Sequence, residues 1–311
     1  MPLKTLKKDT AEALTIEWIL YAKNYKLSLD KKLCVGCEIC QLACPKEAIT
    51  LIKQQKTPDG KAQRAKVDIS LEKCNFCGIC DLLCPFGAIA VTVNSKHVLS
   101  VVEKESFPRL IRDIQVDSSK CPPDCIDCEK FCPLNLIKVT CYTPDGKIVK
   151  DINSLSVYER SWLRVSLNIN VEKCPGCRIC ELKCPKGAIR VRRIFGGRLV
   201  INRDKCPEGC RDCLDVCPIT GALYLGEDGK VYVNELFCVY CGACKVVCPV
   251  DGAIELVRTH VLHTPVRSGA WNKALERIAS TIEMSKELKA RSSLKAIESL
   301  ERRFKYKGVV V

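Results

Sequence analysis

Histidine is scarce in this chain of 311 residues, with 3 copies, and methionine scarcer still, with 2. That scarcity argues against metal centres or acid–base catalysis built on imidazole. Aromatic residues make up only 6%. No apolar run approaches the about 18 residues that a membrane-spanning helix requires. The N-terminal sequence, MPLKTLKKDTAEALTIEWIL, lacks the continuous apolar stretch and small-residue cleavage site of a secretory signal. Catalytic signatures are missing too. There is no G-x-G-x-x-G, no G-x-x-x-x-G-K-[ST], no H-E-x-x-H and no Ser-His-Asp grouping. The chain therefore offers no visible flavin, nicotinamide or molybdopterin site, and no catalytic residue is expected in it.

Cysteine, in contrast, is abundant: 25 residues, about 8% of the chain. The 47% hydrophobic content counts cysteine as apolar and falls to about 39% without it. That is thin for a core filled by side chains alone, so something other than Leu and Phe is expected to occupy the interior. Disulfides, zinc and iron–sulfur clusters are the available explanations. Disulfides fit poorly, because the cysteine count is odd and the spacings are tight and regular. A reducing cytoplasm is the expected setting. The formal charge of +14 first suggests a nucleic acid or an anionic membrane as partner, but it treats every cysteine as neutral.

Internal repeats account for most of the pattern. Six quartets take up 24 of the 25 cysteines: CVGCEICQLACP from Cys34, CNFCGICDLLCP from Cys74, CPPDCIDCEKFCP from Cys121, CPGCRICELKCP from Cys174, CPEGCRDCLDVCP from Cys206 and CVYCGACKVVCP from Cys238. Four have the form C-x2-C-x2-C-x3-C-P, and the third and fifth carry one extra residue between their first two cysteines. Short β-branched stretches follow, such as Ala88-Ile89-Ala90-Val91 and Ala188-Ile189-Arg190-Val191, the pattern of a short strand. This is the spacing of bacterial-type ferredoxins that bind [4Fe–4S] clusters. Three thiolates on a short loop can wrap three corners of one cube, and the fourth cysteine serves the neighbouring cluster. The proline after it turns the chain back toward the sheet, and loop amides can point at the cluster sulfurs.

Structural zinc sites use two well-separated cysteine pairs, which is not this pattern, and no C-x-x-C is followed by His as c-type haem attachment requires. The second cysteine, whose loss leads to [3Fe–4S] centres, is present throughout as Cys37, Cys77, Cys125, Cys177, Cys210 and Cys241. Six [4Fe–4S] clusters are the expected complement. Each oxidised cluster with its thiolates carries about −2, or about −3 when reduced. Against +14, six clusters leave a total near +2 or −4, and the reason to expect nucleic acid disappears.

Asp59-Gly60-Lys61, Asp145-Gly146-Lys147 and Asp228-Gly229-Lys230 follow the first, third and fifth quartets, 25, 24 and 22 residues after the first cysteine of each. Asp-Gly between alternating stretches signals a hairpin. The repeated unit then reads odd quartet, hairpin, even quartet, with two-cluster modules at 24–104, 112–196 and 199–258. In this sequential pairing Cys34, Cys37, Cys40 and Cys84 hold one cluster, and Cys74, Cys77, Cys80 and Cys44 its neighbour. Cys121, Cys125, Cys128 and Cys184 pair with Cys174, Cys177, Cys180 and Cys132. Cys206, Cys210, Cys213 and Cys248 pair with Cys238, Cys241, Cys244 and Cys217. A nested arrangement competes, in which quartets four and five, 21 residues apart and joined by Gly196-Gly197, form a hairpin of their own and quartet three partners quartet six.

Cys141 lies outside every quartet and reads as a packed thiol that is not a ligand. His97, His260 and His263 are too scattered for a metal site and read as surface or interface residues. In the tail, 264–311, Trp271, Leu275, Ile278 and Ile282 fall at helical spacing, as do Ile297, Leu300 and Phe304. That helix either packs back on the modules or clamps a partner. In the extension 1–23, residues 11–22, with Leu14, Ile16, Trp18, Ile19 and Leu20, suggest a second helix. The expected fold class is α+β: tandem two-[4Fe–4S] ferredoxin modules of βαβ-βαβ type with helical N- and C-terminal extensions.

Together these features resemble an archaeal polyferredoxin. The extra-residue quartets and the ending ELVRTHVLHTPVRSGAWNKALERIAS are similar to the polyferredoxin subunit of formylmethanofuran dehydrogenase, whose members carry eight quartets where this chain has six. That resemblance implies a cytoplasmic complex in which this subunit relays low-potential electrons from an external ferredoxin or other donor to a tungsten- or molybdenum-containing catalytic subunit reducing CO2. The electron-transfer subunit of a hydrogenase or heterodisulfide reductase complex and a free multi-cluster carrier are the alternatives. No nucleic acid and no transmembrane segment are expected.

Overall fold

The computed structural model describes residues 3–149, 152, 154–266 and 268–279. One backbone pattern recurs three times. A first strand enters a quartet loop and a one-turn helix, a hairpin follows, then a second loop and helix, and a last strand returns antiparallel to the first. The chain opens with β1 (Lys4–Asp9) and β2 (Ala13–Ile19). The first unit runs through β3 (Asn24–Asp30), α1 (Ile39–Ala43), β4 (Ile49–Ile52), β5 (Lys66–Ile69), α2 (Ile79–Leu83) and β6 (Ile89–Val93), with α3 (Ser100–Glu103) after it. The second comprises β7 (Ile114–Val116), α4 (Asp127–Phe131), β8 (Ile137–Tyr142), β9 (Ile148–Val149), α5 (Val157–Ser161), β10 (Arg164–Ile169), α6 (Ile179–Lys183) and β11 (Ile189–Val191). The third comprises β12 (Phe195–Ile201), α7 (Asp212–Val216), β13 (Leu223–Leu225), β14 (Val231–Val233), α8 (Ala243–Val247) and β15 (Ile254–Val261), and α9 (Gly269–Ile278) follows.

Outer strands pair as β3 with β6, β7 with β11 and β12 with β15. Inner strands pair as β4 with β5, β8 with β9 and β10, and β13 with β14. The Asp-Gly turns lie between the inner strands as their sequences indicate: Thr57 N–H donates to Lys61 O at 2.9 Å, Thr143 N–H to Lys147 O at 2.9 Å and Gly226 N–H to Lys230 O at 2.8 Å. Helices meet within each unit, α1 on α2, α4 on α6 and α7 on α8. The backbone therefore follows the sequential arrangement. Gly196-Gly197, which the nested alternative needs as a turn, lies inside β12 at a register shift against β15. A Cβ on Gly197 would stand 2.3 Å from Val257 O, so these glycines serve a bulge and a close strand approach.

The helix expected over 11–22 is absent, and this is a correction. Order β1-β2-β3-β6 makes a four-stranded antiparallel sheet that extends the first unit. Leu14, Ile16 and Trp18 recur every second residue, so the governing period is 2 rather than 3.6. Leu14 sits opposite Leu29 and Ile16 opposite Leu27, all four at 0–1% exposure. Glu17 faces outward and pairs with Lys26 across the strands at 2.9 Å, and Trp18 reaches the ring of Phe76 at 5.1 Å.

At the other end, α9 forms where Trp271, Leu275 and Ile278 predict it, and the Ser268 hydroxyl caps it by accepting from Trp271 N–H. Trp271, Ala274 and Ile278 are buried. Trp271 packs edge-on against Phe107 at 5.3 Å and beside His263 at 4.7 Å. This face is covered by its own chain. Ile282, Ile297, Leu300 and Phe304 lie outside the described residues.

The units also clasp one another. From the β4–β5 hairpin, Lys53 Nζ donates to Cys248 O at 2.9 Å, Lys56 pairs with Asp212 at 2.6 Å, and Ala62 N–H donates to Asp215 at 3.0 Å. The first unit is thereby tied to the third.

If β2 governs the N-terminal region, Ile16→Ala should cost roughly 2–5 kcal/mol of stability, whereas Glu17→Ala should cost less than about 1 kcal/mol. Thermal unfolding of the cluster-loaded protein checks this, and equal losses at the two positions would contradict the alternation.

Candidate metal centres

Local sequence explains the shape of each quartet loop. The residue before the second cysteine is left-handed in five of the six: Gly36, Phe76, Gly176, Gly209 and Tyr240 have φ of 68, 53, 76, 69 and 52°. That conformation is natural for glycine and strained for a bulky residue, so Phe76 and Tyr240 are held by what surrounds them. A helix of one turn then carries the third cysteine. It ends at the fourth, where φ lies between −54 and −73° and ψ between 111 and 127° at Cys44, Cys84, Cys132, Cys184, Cys217 and Cys248. Each of these precedes a proline, which disfavours the helical region for its predecessor. The Cys-Pro step thus swings the fourth sulfur out of its own loop.

It arrives beside the other loop of the same unit. Cys84 is among the charges acting on Cys34, Cys37 and Cys40, and Cys44 among those acting on Cys74, Cys77 and Cys80. Cys184 reaches Cys121, and Cys132 reaches Cys174, Cys177 and Cys180. Cys248 reaches Cys206 and Cys213. Cys217 acts on Cys244 and feels Cys238 and Cys241. The sets read from the sequential pairing are the ones brought together. Two of these sets line pockets. Cys217, Cys238, Cys241 and Cys244 line one pocket with Ile219 and Leu256, and Cys132, Cys174, Cys177 and Cys180 line another with Ile137 and Ile169. Four thiols gathered in one apolar pocket suit ligation of a shared metal group.

Their electrostatics point the same way. Burial pushes the Cys34 and Cys238 thiols up to about 11 and those of Cys180, Cys213 and Cys217 up to about 12. A bare thiolate is costly there unless iron shares its charge. Main-chain N–H groups already turn toward the sulfurs: Ala48 donates to Cys44 Sγ at 3.3 Å, Ala88 to Cys84 at 3.2 Å, Leu136 to Cys132 at 3.3 Å and Ala188 to Cys184 at 3.3 Å. Among the described residues, the buried side-chain N or O atoms without a partner are Arg112 Nε and Arg193 Nε. Arg112 lies beside Cys84 and Cys174, and Arg193 beside Cys238. Two orphaned donors at cage walls fit an anionic, sulfur-rich occupant.

The match to known families follows this geometry. Residues 33–88 and 198–249 match the 4Fe-4S dicluster domain, and residues 167–190 the 4Fe-4S binding domain. The polyferredoxin-like subunit of an aliphatic sulfonate oxidoreductase from Pyrococcus furiosus is 38% identical over 104 residues, which is 29% of this chain and 56% of the relative. The polyferredoxin protein MvhB of Methanothermobacter marburgensis is 32% identical over 128 residues, 37% of this chain and 24% of the relative. The chain thus spans about half the length of the first relative and less of the second. Among solved structures, a chain of the formate dehydrogenase–heterodisulfide reductase–formylmethanofuran dehydrogenase complex from Methanospirillum hungatei superimposes with a TM-score of 0.76 at 30% identity. That likeness covers 90% of this chain and 92% of the other. The chain belongs to the polyferredoxin family.

Its 4Fe-4S domains are cluster-binding domains, and the Pyrococcus relative is named as a subunit of an oxidoreductase. No helix among the described residues is long and apolar enough to cross a membrane. Cys141 lies outside every cage. It is buried in β8, and its thiol donates to Pro123 O at 3.2 Å. His97 pairs at the surface with Asp81 at 2.7 Å.

Sequence reasoning overlooked the carboxylates that follow the third cysteine in three quartets. Asp81 accepts from Val91 N–H at 2.7 Å, Glu129 from Val139 N–H at 2.7 Å and Glu181 from Val191 N–H at 3.3 Å. Each braces its helix against the strand that follows, and the recurrence of an acid at this position was a readable signal. Arg258 was also missed, a single cation within the apolar run of β15.

Cys141→Ala should leave the iron content per chain unchanged, whereas Cys241→Ala should lower it. Iron and sulfide assays on anaerobically prepared protein decide this, and loss of iron on replacing Cys141 would make it part of a cage. Complete removal of iron should abolish the native far-ultraviolet circular dichroism spectrum, because cluster ligation supplies much of the folding free energy.

Proposed function

We propose that this polyferredoxin holds six [4Fe–4S] clusters in the six cages described, in modules spanning 24–104, 112–196 and 199–258. On this reading the sequential pairing supplies all 24 ligands and leaves Cys141 out. Its task is to conduct low-potential electrons in a cytoplasmic complex of formylmethanofuran dehydrogenase type. The electrons pass from an external ferredoxin or similar donor to a tungsten- or molybdenum-containing subunit that reduces CO2. Each cluster gives or accepts one electron, while the chain's own residues fix the spacing, exclude water and set the local charge.

The observation that carries this reading is the nearly end-to-end likeness to a chain of a complex whose name includes formylmethanofuran dehydrogenase. Six repeats of one ligand pattern and no catalytic signature support a conduit rather than a site of substrate chemistry.

Anaerobic purification from the native source, with metals and flavin assayed on whatever co-elutes, tests it. About 24 iron atoms per chain are expected from four per cluster, together with tungsten or molybdenum. The same iron with nickel or flavin would transfer the protein to a hydrogenase or heterodisulfide reductase complex. Iron well short of that value with zinc in its place would overturn the cluster reading.

A further inference from the structure

Residues of neighbouring units link three cages, the inner cages of Cys34, Cys174 and Cys238 with their partners. At each junction stands an arginine. Arg112, in the stretch leading into β7, donates from Nη2 to Cys84 O at 2.8 Å and adds positive charge to both Cys84 and Cys174. It therefore joins the first inner cage to the second. Arg193, in the equivalent stretch before β12, has its Cα 3.4 Å from where a Cβ on Gly176 would stand. Its guanidinium reaches Leu236 O at 2.7 Å and lies 5.7 Å from the ring of Tyr240, beside Cys238. That joins the second inner cage to the third.

Arg258 closes the triangle. It is only 3% exposed and donates to Tyr240 O at 2.8 Å, Cys241 O at 2.8 Å and Ile278 O at 3.2 Å. Its counter-ion is Glu38 at 3.3 Å, which sits between Cys37 and Cys40 and also faces Lys245 at 3.5 Å. Cys241 in turn is among the charges acting on Cys37. The fit is tight, since a Cβ on Gly242 would stand 2.8 Å from Arg258 Nη2 and 3.3 Å from Glu38 Oε1. The chain accepts a buried cation and a left-handed glycine, φ 93°, at one spot.

We propose that Arg112, Arg193 and Arg258 are positioning residues for electron exchange between modules. The orphaned Nε–H groups of Arg112 and Arg193 donate to the sulfur face of the adjoining inner clusters, and Arg258 adds its charge to the third joint. The three inner cages then form a common junction, and an electron entering any module reaches either of the others without following sequence order. Each transfer oxidises one inner cluster by one electron and reduces its neighbour by one, and the low-potential donor of the proposed function supplies the charge. This rests on the cages holding clusters.

Reduction adds negative charge to a cluster, so a nearby cation favours the reduced form and a nearby anion disfavours it. Opposite signs are therefore expected from the two halves of the buried pair. In redox titrations of the full-length, cluster-loaded chain followed by electron paramagnetic resonance, Arg258→Gln should lower the midpoint of one cluster. Its reduced-to-oxidised ratio at fixed potential should fall about tenfold, equivalent to about 59 mV for one electron. Glu38→Gln should shift a midpoint upward. Arg112→Gln and Arg193→Gln should each lower one, and Arg258→Lys should restore the native value with iron content unchanged. Midpoints that stay fixed at full iron loading, or a Glu38→Gln shift in the same direction as Arg258→Gln, would overturn the proposal. Where a glutamine variant of arginine fails to hold iron, Glu38→Gln decides alone: an upward shift supports the proposal and no shift overturns it. Failure of the cluster reading itself is distinguishable, because the native chain would then lack iron or reducible clusters before any substitution.

Discussion

A sulfur removed from water must either keep its proton or share its charge with a cation, and the architecture of this polyferredoxin depends on that constraint. Its cage thiols are driven well above their ordinary range by burial, to about 12 at Cys180, Cys213 and Cys217. Ligation to iron lifts the penalty, so the interior that remains unfavourable in the bare chain becomes the best-bonded part of the loaded one. The same constraint explains how a chain with so few large apolar residues has a core. Cage cysteines stand beside Ile39, Leu83, Ile219 and Phe195 in one cluster of buried residues and beside Ile137, Ile189 and Val191 in a second, and the cofactors occupy volume that side chains would otherwise have to fill.

The exchange of the fourth cysteine gives each module its unity. Because every Cys-Pro step leaves the helix in an extended conformation, the fourth sulfur points away from the loop that made it and toward the partner loop. Neither half can complete a cage without the other. The hairpin between the halves then sets their distance, and the outer strand pair, such as β12 with β15, closes the ring. Hairpin closure inside each unit is local, whereas the outer strand pairs join residues as far apart as Tyr25 and Val93 or Phe195 and Val261.

Elements with a short-range chemical cause were legible. The quartets, the Asp-Gly hairpins at Asp59, Asp145 and Asp228, and the α9 stripe of Trp271, Leu275 and Ile278 each carry their cause within a few residues. The N-terminal strands were misread because Leu14, Ile16, Trp18, Ile19 and Leu20 satisfy a helical stripe as well as an alternating one, and only pairing with Leu27 and Leu29 favours the strand. Gly196-Gly197 was ambiguous for a similar reason, since the same two glycines permit a tight turn or a close strand approach, and the carbonyl of Val257 decides between them. Arg258 gave no local signal at all. Its partners, Glu38, Tyr240, Cys241 and Ile278, are brought to it by tertiary structure.

The basic surplus of the chain has a structural cause beyond overall neutralisation. A loop that aims its N–H groups inward at cage sulfur must aim carbonyls outward, since each peptide unit is a single dipole. Cys241 N–H and Gly242 N–H serve the Cys241 sulfur, while the carbonyls of the same two peptide units, Tyr240 O and Cys241 O, accept from Arg258. Cations also meet cage-side carbonyls between units, Lys53 on Cys248 O, Arg112 on Cys84 O and Arg193 on Leu236 O, and the first two of these carbonyls precede prolines and have no N–H on their own peptide unit. At the contacts of Lys53, Arg112 and Arg193 such carbonyls are the points at which a neighbouring unit attaches its cations. The polar backbone around one cage thereby takes part in holding the next unit.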